Sequence, residues 1–493
     1  MMILAQKDET MYAARRVAVS QNSTTKTCHS KEVILLFYFR ENEFHQLDSF
    51  LLSPISKAFA IYGRRRAGKT RLITEYIQKN PQKATFLYFQ CTSFDYHACL
   101  TDFLSVCRNL FPNMIIPASM PSFRDTIALL GQFLPKDLCI IIDEFPFLAK
   151  KNDNVTVEFQ WIIDHGLGSI KLILSGSNLS FMKTQIGSQE APLYGRFDEI
   201  MEVRPFSFVE VRSLFPDLET AMKVYSMTGG VAQYVMFFLN YSSVEEATAA
   251  LFFSPDGRLI REAPNILLQE LRDPTTYEQI LRAVGGSGRS TPQIASQSGL
   301  DNKGLFPYLN RLENLQIISQ VTNPLSSEKR KQRFRITDAL FRFHYTFIEP
   351  NMSLINSLRE KAMDIILDHR YQEFVGITYE DIIRENCFQY ALDKEIPFMP
   401  RNLGKWWGPV YINNSWQESE VDVIAFDDYH LLVGECKYRS KATGMQELDN
   451  LKLKAQFIPS KDRELFYLLA SKSGFTEELL TLSDSHLILI NQF

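Results

Sequence analysis

Short apolar runs alternate in the first part of the chain with stretches whose apolar residues recur every three or four positions. Lys57-Ala58-Phe59-Ala60-Ile61-Tyr62 reads as a buried strand, and residues 71–78 set Leu72, Ile73, Tyr76 and Ile77 on one helical face. Ahead of them Phe44, Leu47 and Leu51 share a face, which predicts a short helix leading into that strand. A second run, 84–91, is followed by helical patterns at 97–110 and 123–133, and then by Leu138-Cys139-Ile140-Ile141-Ile142, which ends in Asp143-Glu144. Residues 171–177 and 199–203 predict two further strands before Pro205. Strands alternating with helices predict an α/β fold with a parallel, helix-covered sheet and a ligand at the carboxyl ends of its strands. The run 84–91 falls between the first strand and the Asp-Glu strand, so another strand is expected to separate those two in the sheet.

The pattern changes after Pro205. Residues 207–269 are helical around Thr228-Gly229-Gly230-Val231, where a glycine pair ends one helix and starts the next, and this segment is expected to form a lid. Between 276 and 337 come helical patterns at 277–284, 292–298 and 303–314, then strand-like runs at 317–321 and 333–336, the order of a winged helix. Arg330, Lys331 and Arg333 stand at its tip, where phosphates of DNA or RNA would meet them; the third helix offers Lys303, Asn310 and Arg311 but also Glu313. Residues 1–32 lack periodicity and are expected to be a disordered leader or a mis-chosen start. The domains are therefore placed at 33–206, 207–270, 271–350 and 351–493.

The first helix-strand junction carries chemistry. Gly63-Arg64-Arg65-Arg66-Ala67-Gly68-Lys69-Thr70 fits G-x-x-x-x-G-K-[ST], with a buried strand before it and a helix opening at Arg71 after it. Glycines let backbone N–H groups wrap a phosphate, the lysine reaches the terminal phosphates of ATP, and the hydroxyl ligates Mg²⁺. The helix dipole adds to that attraction. Asp143 is expected to share the Mg²⁺ with Thr70, Glu144 to orient or activate water, and Ser177 or Asn178 to sense the γ-phosphate. Arg64, Arg65 and Arg66 either contact phosphate or are solvated and paired with acidic neighbours.

A second constellation lies near the end of the chain. Glu380 sits in the helical pattern F-V-G-I-T-Y-E-D-I-I, Asp422 in the strand pattern E-V-D-V-I-A-F, and Glu435-Cys436-Lys437 closes the next strand. Alternation puts Glu435 and Lys437 on one face. Glu380, Asp422 and Glu435 are thus expected to hold Mg²⁺ or Mn²⁺, with Lys437 positioning an attacking hydroxide; the bland alternative is a surface salt bridge. Lys405-Trp406-Trp407 before the hairpin and Gln446 after it add shelter to the site.

Bulk properties narrow the setting. At 493 residues about three domains are expected. A net charge of -4 excludes a generally cationic nucleic-acid coat protein and leaves room for a local basic patch. Seven scattered cysteines without a C-x-x-C pair fit a reducing compartment, and no apolar run approaches the ~18–20 residues needed to cross a bilayer, so a cytoplasmic protein is expected.

Taken in order, G-R-R-R-A-G-K-T, I-I-I-D-E-F, L-S-G-S-N, P-L-Y-G-R and T-G-G-V resemble the archaeal-type AAA-related ATPases that carry a C-terminal domain of formerly unknown function, a family related to the STAND NTPases. That C-terminal domain is similar to PD-(D/E)xK nucleases, and W-W, E-V-D-V-I-A and G-E-C-K match it here; the resemblance spans residues 33–493. It implies an ATPase switch controlling a restriction-endonuclease-like domain. It also implies that Arg40, in Phe39-Arg40-Glu41-Asn42-Glu43, contributes to nucleotide binding, although Phe39 stands where the family has glycine. Arg196 of P-L-Y-G-R would either sense the γ-phosphate or pair with Asp198 or Glu199. Val421 replaces the superfamily's proline. Two alternatives remain beside the switch: an ATP-regulated, Mg-dependent nuclease, and a nucleotide-gated interaction protein with little hydrolysis. A homo-oligomer or a protein partner is compatible with each.

Overall fold

The computed structural model describes residues 39–133, 137–150, 152–286, 288–321, 323–326, 333–412 and 414–491. Residues 1–32, and with them Arg330 and Lys331 of the expected wing tip, lie outside the described residues. The chain forms two compact units. One holds the described residues through Pro205 together with Val231–Gln233, and the other holds Phe206–Gly230 and everything from Tyr234 onward. The segment expected to be a lid thus belongs mostly to the second unit.

The first unit is a sheet of five parallel strands, β1 (Ala58–Tyr62), β2 (Thr85–Gln90), β3 (Leu138–Asp143), β4 (Lys171–Gly176) and β5 (Glu199–Glu202), in the order β2-β3-β4-β1-β5. The strand that separates β1 from β3 is β4, and β2 lies at the edge. Burial explains the placement: β4 is buried at every position after Lys171, as a central parallel strand must be, whereas β2 mixes buried and half-buried positions. One face of the sheet is covered by a core that includes Phe103, Phe123 and Phe159, the other by the helices Glu41–Leu52 and Lys69–Lys79 packed through Phe50, Leu72 and Tyr76.

In the second unit, helix Leu218–Thr228 ends at Gly229, whose φ of 57° is left-handed. Gly230 admits no side chain, because a Cβ there would lie 1.9 Å from the carbonyl oxygen of Phe206. Farther on come helices Pro274–Val284, Thr291–Ser298 and Asn302–Asn314. They accompany an antiparallel sheet of β6 (Arg289–Ser290), β7 (Ile318–Val321) and β8 (Arg333–Ile336), ordered β6-β8-β7. The two-residue β6 is too short to leave an alternation in the sequence. The last domain is a mixed sheet of β9 (Asn402–Ile412), β10 (Ser415–Phe426), β11 (His430–Lys437), β12 (Glu464–Ser471) and β13 (Leu487–Ile490), ordered β13-β12-β11-β10-β9. β9, β10 and β11 pair antiparallel; β11, β12 and β13 pair parallel, the first of these crossovers made by helix Met445–Ala455. Helix His369–Glu385 packs on β10 and β11. Among the described residues no helix is long and apolar enough to cross a membrane.

Candidate functional site

The loop from Gly63 to Gly68 leaves β1 under tight steric rules. A Cβ on Gly63 would lie 2.3 Å from the carbonyl oxygen of Val203, and Gly68 has a φ of 99°. Arg66 is also left-handed, at φ 65°, and its carbonyl accepts from the Gln233 amide at 3.1 Å. Gly68 is the N-cap of helix Lys69–Lys79, so no side chain there competes with an anion for the helix's first N–H groups. Lys69 is buried, and its Nζ donates to the carbonyls of Gly63 at 2.8 Å and Arg64 at 3.0 Å, which folds it over its own loop. Arg64 and Arg65 are half-buried and Arg66 is exposed, while Arg71 pairs with Glu75 one turn along the helix.

The carboxyl end of β3 meets this loop. Thr70 Oγ1 donates to Asp143 Oδ2 at 2.7 Å, and the hydroxyl of Tyr88, on β2, donates to the same oxygen at 2.9 Å. Asp143 Oδ1 accepts from the amide of Glu144 at 3.0 Å. A hydroxyl and a carboxylate oxygen brought together at a loop mouth form the hard-oxygen donor set that suits Mg²⁺. Glu144 turns away from the strand with φ 54°, and its Oε2 accepts from the Ser177 hydroxyl at 2.7 Å and the Ser177 amide at 3.2 Å. Asn178 caps the next helix by accepting from the amide of Phe181 at 2.9 Å. Gly68, Lys69, Thr70, Asp143, Glu144 and Ser177 therefore converge at one end of the sheet.

The two arginines singled out by the resemblance both have protein partners. Arg40, 7% exposed, donates to the carbonyls of Ala67 at 3.1 Å and Arg204 at 2.9 Å and pairs with Glu43 at 2.7 Å, so it braces the loop from behind. Arg196 Nε pairs with Asp164 Oδ2 at 3.1 Å, and its NH1 donates to the carbonyl of Tyr194 at 3.1 Å. Its partner is neither Asp198, which accepts from the amides of Lys57 and Ala58, nor Glu199.

In the C-terminal sheet, a register shift between Val421 and Ile424 puts one extra residue of β10 opposite β9, a bulge that re-aims Asp422. Asp422 Oδ2 then accepts from the amide of Cys436 at 2.9 Å, and its carbonyl accepts from Arg384 at 3.1 Å. Burial, and the nearby carboxylates of Glu380 and Glu435, push the Asp422 carboxyl up to about 7. Both of those neighbours are ion-paired. Glu380 pairs with Lys405 at 2.5 Å, and Glu435 pairs with Lys437 at 2.6 Å and Lys454 at 3.1 Å. Among the described residues no group of three or more His, Cys, Asp or Glu side chains is placed to hold a metal ion.

A pocket of about 160 Å³ opens beside Asp422, lined by Glu380, Lys405, Trp407 and Glu420 and, from β8, by Arg333 and Arg335. Arg333 pairs with Glu420 at 2.7 Å, and its guanidinium lies 4.9 Å from the Trp407 ring centre. Arg335, Arg342 and Arg384 surround Asp381, and Arg335 pairs with it at 2.8 Å. Those arginines hold the Asp381 carboxyl well below the usual carboxylate range despite its burial. Tyr88, Lys454 and Arg384 are site residues that no local motif announces, because each is recruited from another element.

Residues 56–212 match the family model of the AAA domain, and residues 344–448 match that of archaeal and bacterial proteins of unknown function. An uncharacterized protein of Methanocaldococcus jannaschii is 28% identical over 456 residues, which cover 90% of this chain and 97% of that protein. The solved structure of the Aeropyrum pernix ORC2 protein, in ADPNP and ADP complexes, is 14% identical with a TM-score of 0.42 over 65% of this chain and 95% of its own. Cdc6p from Pyrobaculum aerophilum is 15% identical with a TM-score of 0.31 over 65% of this chain and 94% of its own. The segment 56–212 is thus an AAA-type domain on a parallel P-loop sheet, and 344–448 is a domain shared with archaeal and bacterial proteins whose function is unknown.

Proposed function

We propose that this protein is an ATPase switch whose AAA-type domain binds and hydrolyses ATP and whose output is a nucleic-acid-contacting C-terminal part. The observation that carries the reading is the 2.7 Å hydrogen bond from Thr70 to Asp143, which joins the P-loop to a strand end 73 residues away. Thr70 and Asp143 would hold Mg²⁺, which supplies charge neutralisation at the phosphates when bound. Lys69 exchanges its loop carbonyls for phosphate oxygens, and the backbone amides of residues 63–70 cradle the β-phosphate. Glu144, held by Ser177, orients the attacking water toward the γ-phosphorus. Lys69→Ala is expected to abolish ATP binding by calorimetry while the fold persists by circular dichroism; tight ATP binding by that variant would sink the assignment.

A second reading, metal-dependent cleavage of DNA or RNA by an endonuclease-like C-terminal domain, rests on Asp422 and Glu435 standing on paired strands beside Lys437. In it the three-helix module with its three-stranded sheet acts as a winged helix. Glu380 and Glu435 must first release their lysines. Incubating DNA and RNA with Mg²⁺ or Mn²⁺ tests it: cleavage by the wild type that is lost in the Asp422→Ala, Lys437→Ala double variant is the expected result, and equal activity in both would exclude it. Loss of cleavage together with intact ATP turnover would separate the two readings.

A further inference from the structure

Asp143 takes hydroxyl donors from two sides, and only one of them belongs to the P-loop. Thr70 approaches from the start of helix Lys69–Lys79; Tyr88 approaches from β2, where it pairs in register with Ile141, two residues before Asp143. Their oxygens lie 2.7 Å and 2.9 Å from the same Asp143 Oδ2. Asp143 itself is fully buried at the strand end, and its other oxygen is fixed by the Glu144 amide. Tyr88 is half-buried, and its ring packs against the core beneath helix Lys69–Lys79, so the phenol is carried on a ring with little freedom to swing.

We propose that Tyr88 is a positioning residue for the Mg²⁺ site, setting the rotamer of Asp143 so that the carboxylate and Thr70 present their free lone pairs to the cation. This inference rests on the ATPase reading above. The chemistry follows from donor counting. A hydroxyl has one proton and two acceptor sites; Thr70 spends its proton on Asp143 and keeps its lone pairs for a metal. The carboxylate is an acceptor only, with about four lone-pair sites, of which Thr70, Tyr88 and the Glu144 amide fill three. The remaining one is the site left for Mg²⁺. Without the phenol, Asp143 has two donors and can rotate about its side-chain bond, so part of the binding energy of the cation is spent on restoring its orientation. Outer partners of this kind tune metal affinity by roughly 10–100-fold where the ligand itself is unchanged. β2 is the edge strand of the sheet, so Tyr88 also makes the cation site depend on an element that no loop motif touches.

Tyr88→Phe keeps the ring and deletes the hydroxyl. Calorimetric ATP titrations of wild type and variant, in EDTA and across a Mg²⁺ series, give the test, with melting temperature as a control. The expected result is an ATP affinity in EDTA equal to that of the wild type and a Mg²⁺ midpoint raised roughly 10-fold. Mn²⁺ binding to the ATP complex, followed by electron paramagnetic resonance, is expected to weaken in parallel. Superimposable Mg²⁺ curves with only a lowered melting temperature would mean that Tyr88 merely packs, and would overturn the proposal while leaving the ATPase reading intact. A wild type that binds no ATP would overturn both.

Discussion

The hydroxyl of Ser177 donates to Glu144 Oε2 at 2.7 Å, so the carboxylate beside Asp143 is tied to the end of the neighbouring strand. Glu144 sits at φ 54°, a left-handed conformation that costs a non-glycine residue about 1 kcal/mol and that the Ser177 amide and hydroxyl help to offset. Ser177→Ala is expected to leave ATP affinity unchanged and to lower kcat roughly tenfold, the scale of losing one hydrogen bond to a charged group. Glu144→Gln, which removes the carboxylate proposed to orient the water, is expected to cost about 10²–10⁴-fold. Steady-state ATPase assays paired with calorimetry read both. A Ser177→Ala enzyme faster than the wild type would mean that the serine restrains Glu144 instead of orienting it.

Arg40 bears on a different quantity. Its guanidinium ties the carbonyl of Ala67, inside the loop, to that of Arg204, just past β5. Arg40→Ala leaves two carbonyls without that donor and is expected to destabilise the first unit by about 1–3 kcal/mol, read as a lower denaturation midpoint at unchanged slope. Added ATP is expected to recover part of the loss by mass action on the folded state. A variant with wild-type stability and lost ATP affinity would instead place Arg40 in direct contact with nucleotide.

What the sequence disclosed and what it withheld divide along contiguity. Gly63 to Thr70 is legible because one turn of backbone encloses one phosphate, so every residue it needs is adjacent. Asp143-Glu144 is legible because a buried run ending in two carboxylates has few other reasons to exist. The five parallel strands and their helices followed from periodicity, whereas their order did not: only the burial of β4 against the half-exposed pattern of β2 distinguishes centre from edge. Arg40 and Tyr88 act on residues 27 and 55 positions away, across a turn or a register that no local spacing encodes. At the C-terminal site the acids were legible and their environment was not. Glu380 and Glu435 read as metal ligands in isolation; Lys405 and Lys454, 25 and 19 positions distant, turn them into ion pairs. The bulge at Asp422 is equally silent, since an inserted strand residue looks like any other until its partner strand is known.

Asp381 anchors three arginines from three elements of the second unit: Arg335 on β8, Arg342 on helix Ala339–Phe343 and Arg384 on helix His369–Glu385. Arg342 is 3% exposed and donates to Thr378, and burial brings its guanidinium down to about 10. Asp381→Ala would leave these buried cations facing one another, and breaking a buried ion pair from one side typically costs about 3–5 kcal/mol. The expected outcome is a second unit that melts several degrees lower, with the melting of the first unit unchanged, by differential scanning calorimetry. Asp381→Asn, which keeps the acceptor oxygen, is expected to lose less.

Arg333 and Glu420 form a more exposed pair, with side chains 29% and 57% accessible, so their attraction is screened and worth about 0–1 kcal/mol. Arg333→Glu is expected to weaken the docking of β8 on the β9–β10 hairpin and to raise amide exchange in residues 402–426, and the added Glu420→Arg to restore most of the protection. A non-additive cycle of that sign supports a real contact. Salt near 1 M is expected to mimic the single variant only slightly, because Arg333 keeps its stacking on Trp407.

Asp422 gives the protein a pH signature with a definite sign. Burial and the carboxylates of Glu380 and Glu435 disfavour its charge and push its carboxyl up to about 7 in the folded chain, from an ordinary value of 3.8. Between those two values the folded state binds a proton that the unfolded state does not, so the stability contributed by this group falls as pH rises from about 4 to about 7 and is gone above that range. His344 works in the opposite direction. Burial lowers its imidazole to about 4, so its contribution is complete above the unfolded value of 6.5 and is lost as pH falls through the folded one. The two slopes oppose each other between about 4 and 6.5 in the wild type, which makes the difference from Asp422→Asn the clean observable. An amide of the same shape cannot ionise. The variant is therefore expected to match the wild type near pH 4 and to exceed it at pH 8 by about 1–3 kcal/mol, allowing for the solvent that reaches a half-buried group. Urea denaturation at the two pH values measures it. A divalent cation that binds beside Asp422 is expected to shrink the gap at pH 8 by stabilising the ionised wild type, so repeating the pair of titrations with Mn²⁺ also asks whether Glu380 and Glu435 can give up their lysines.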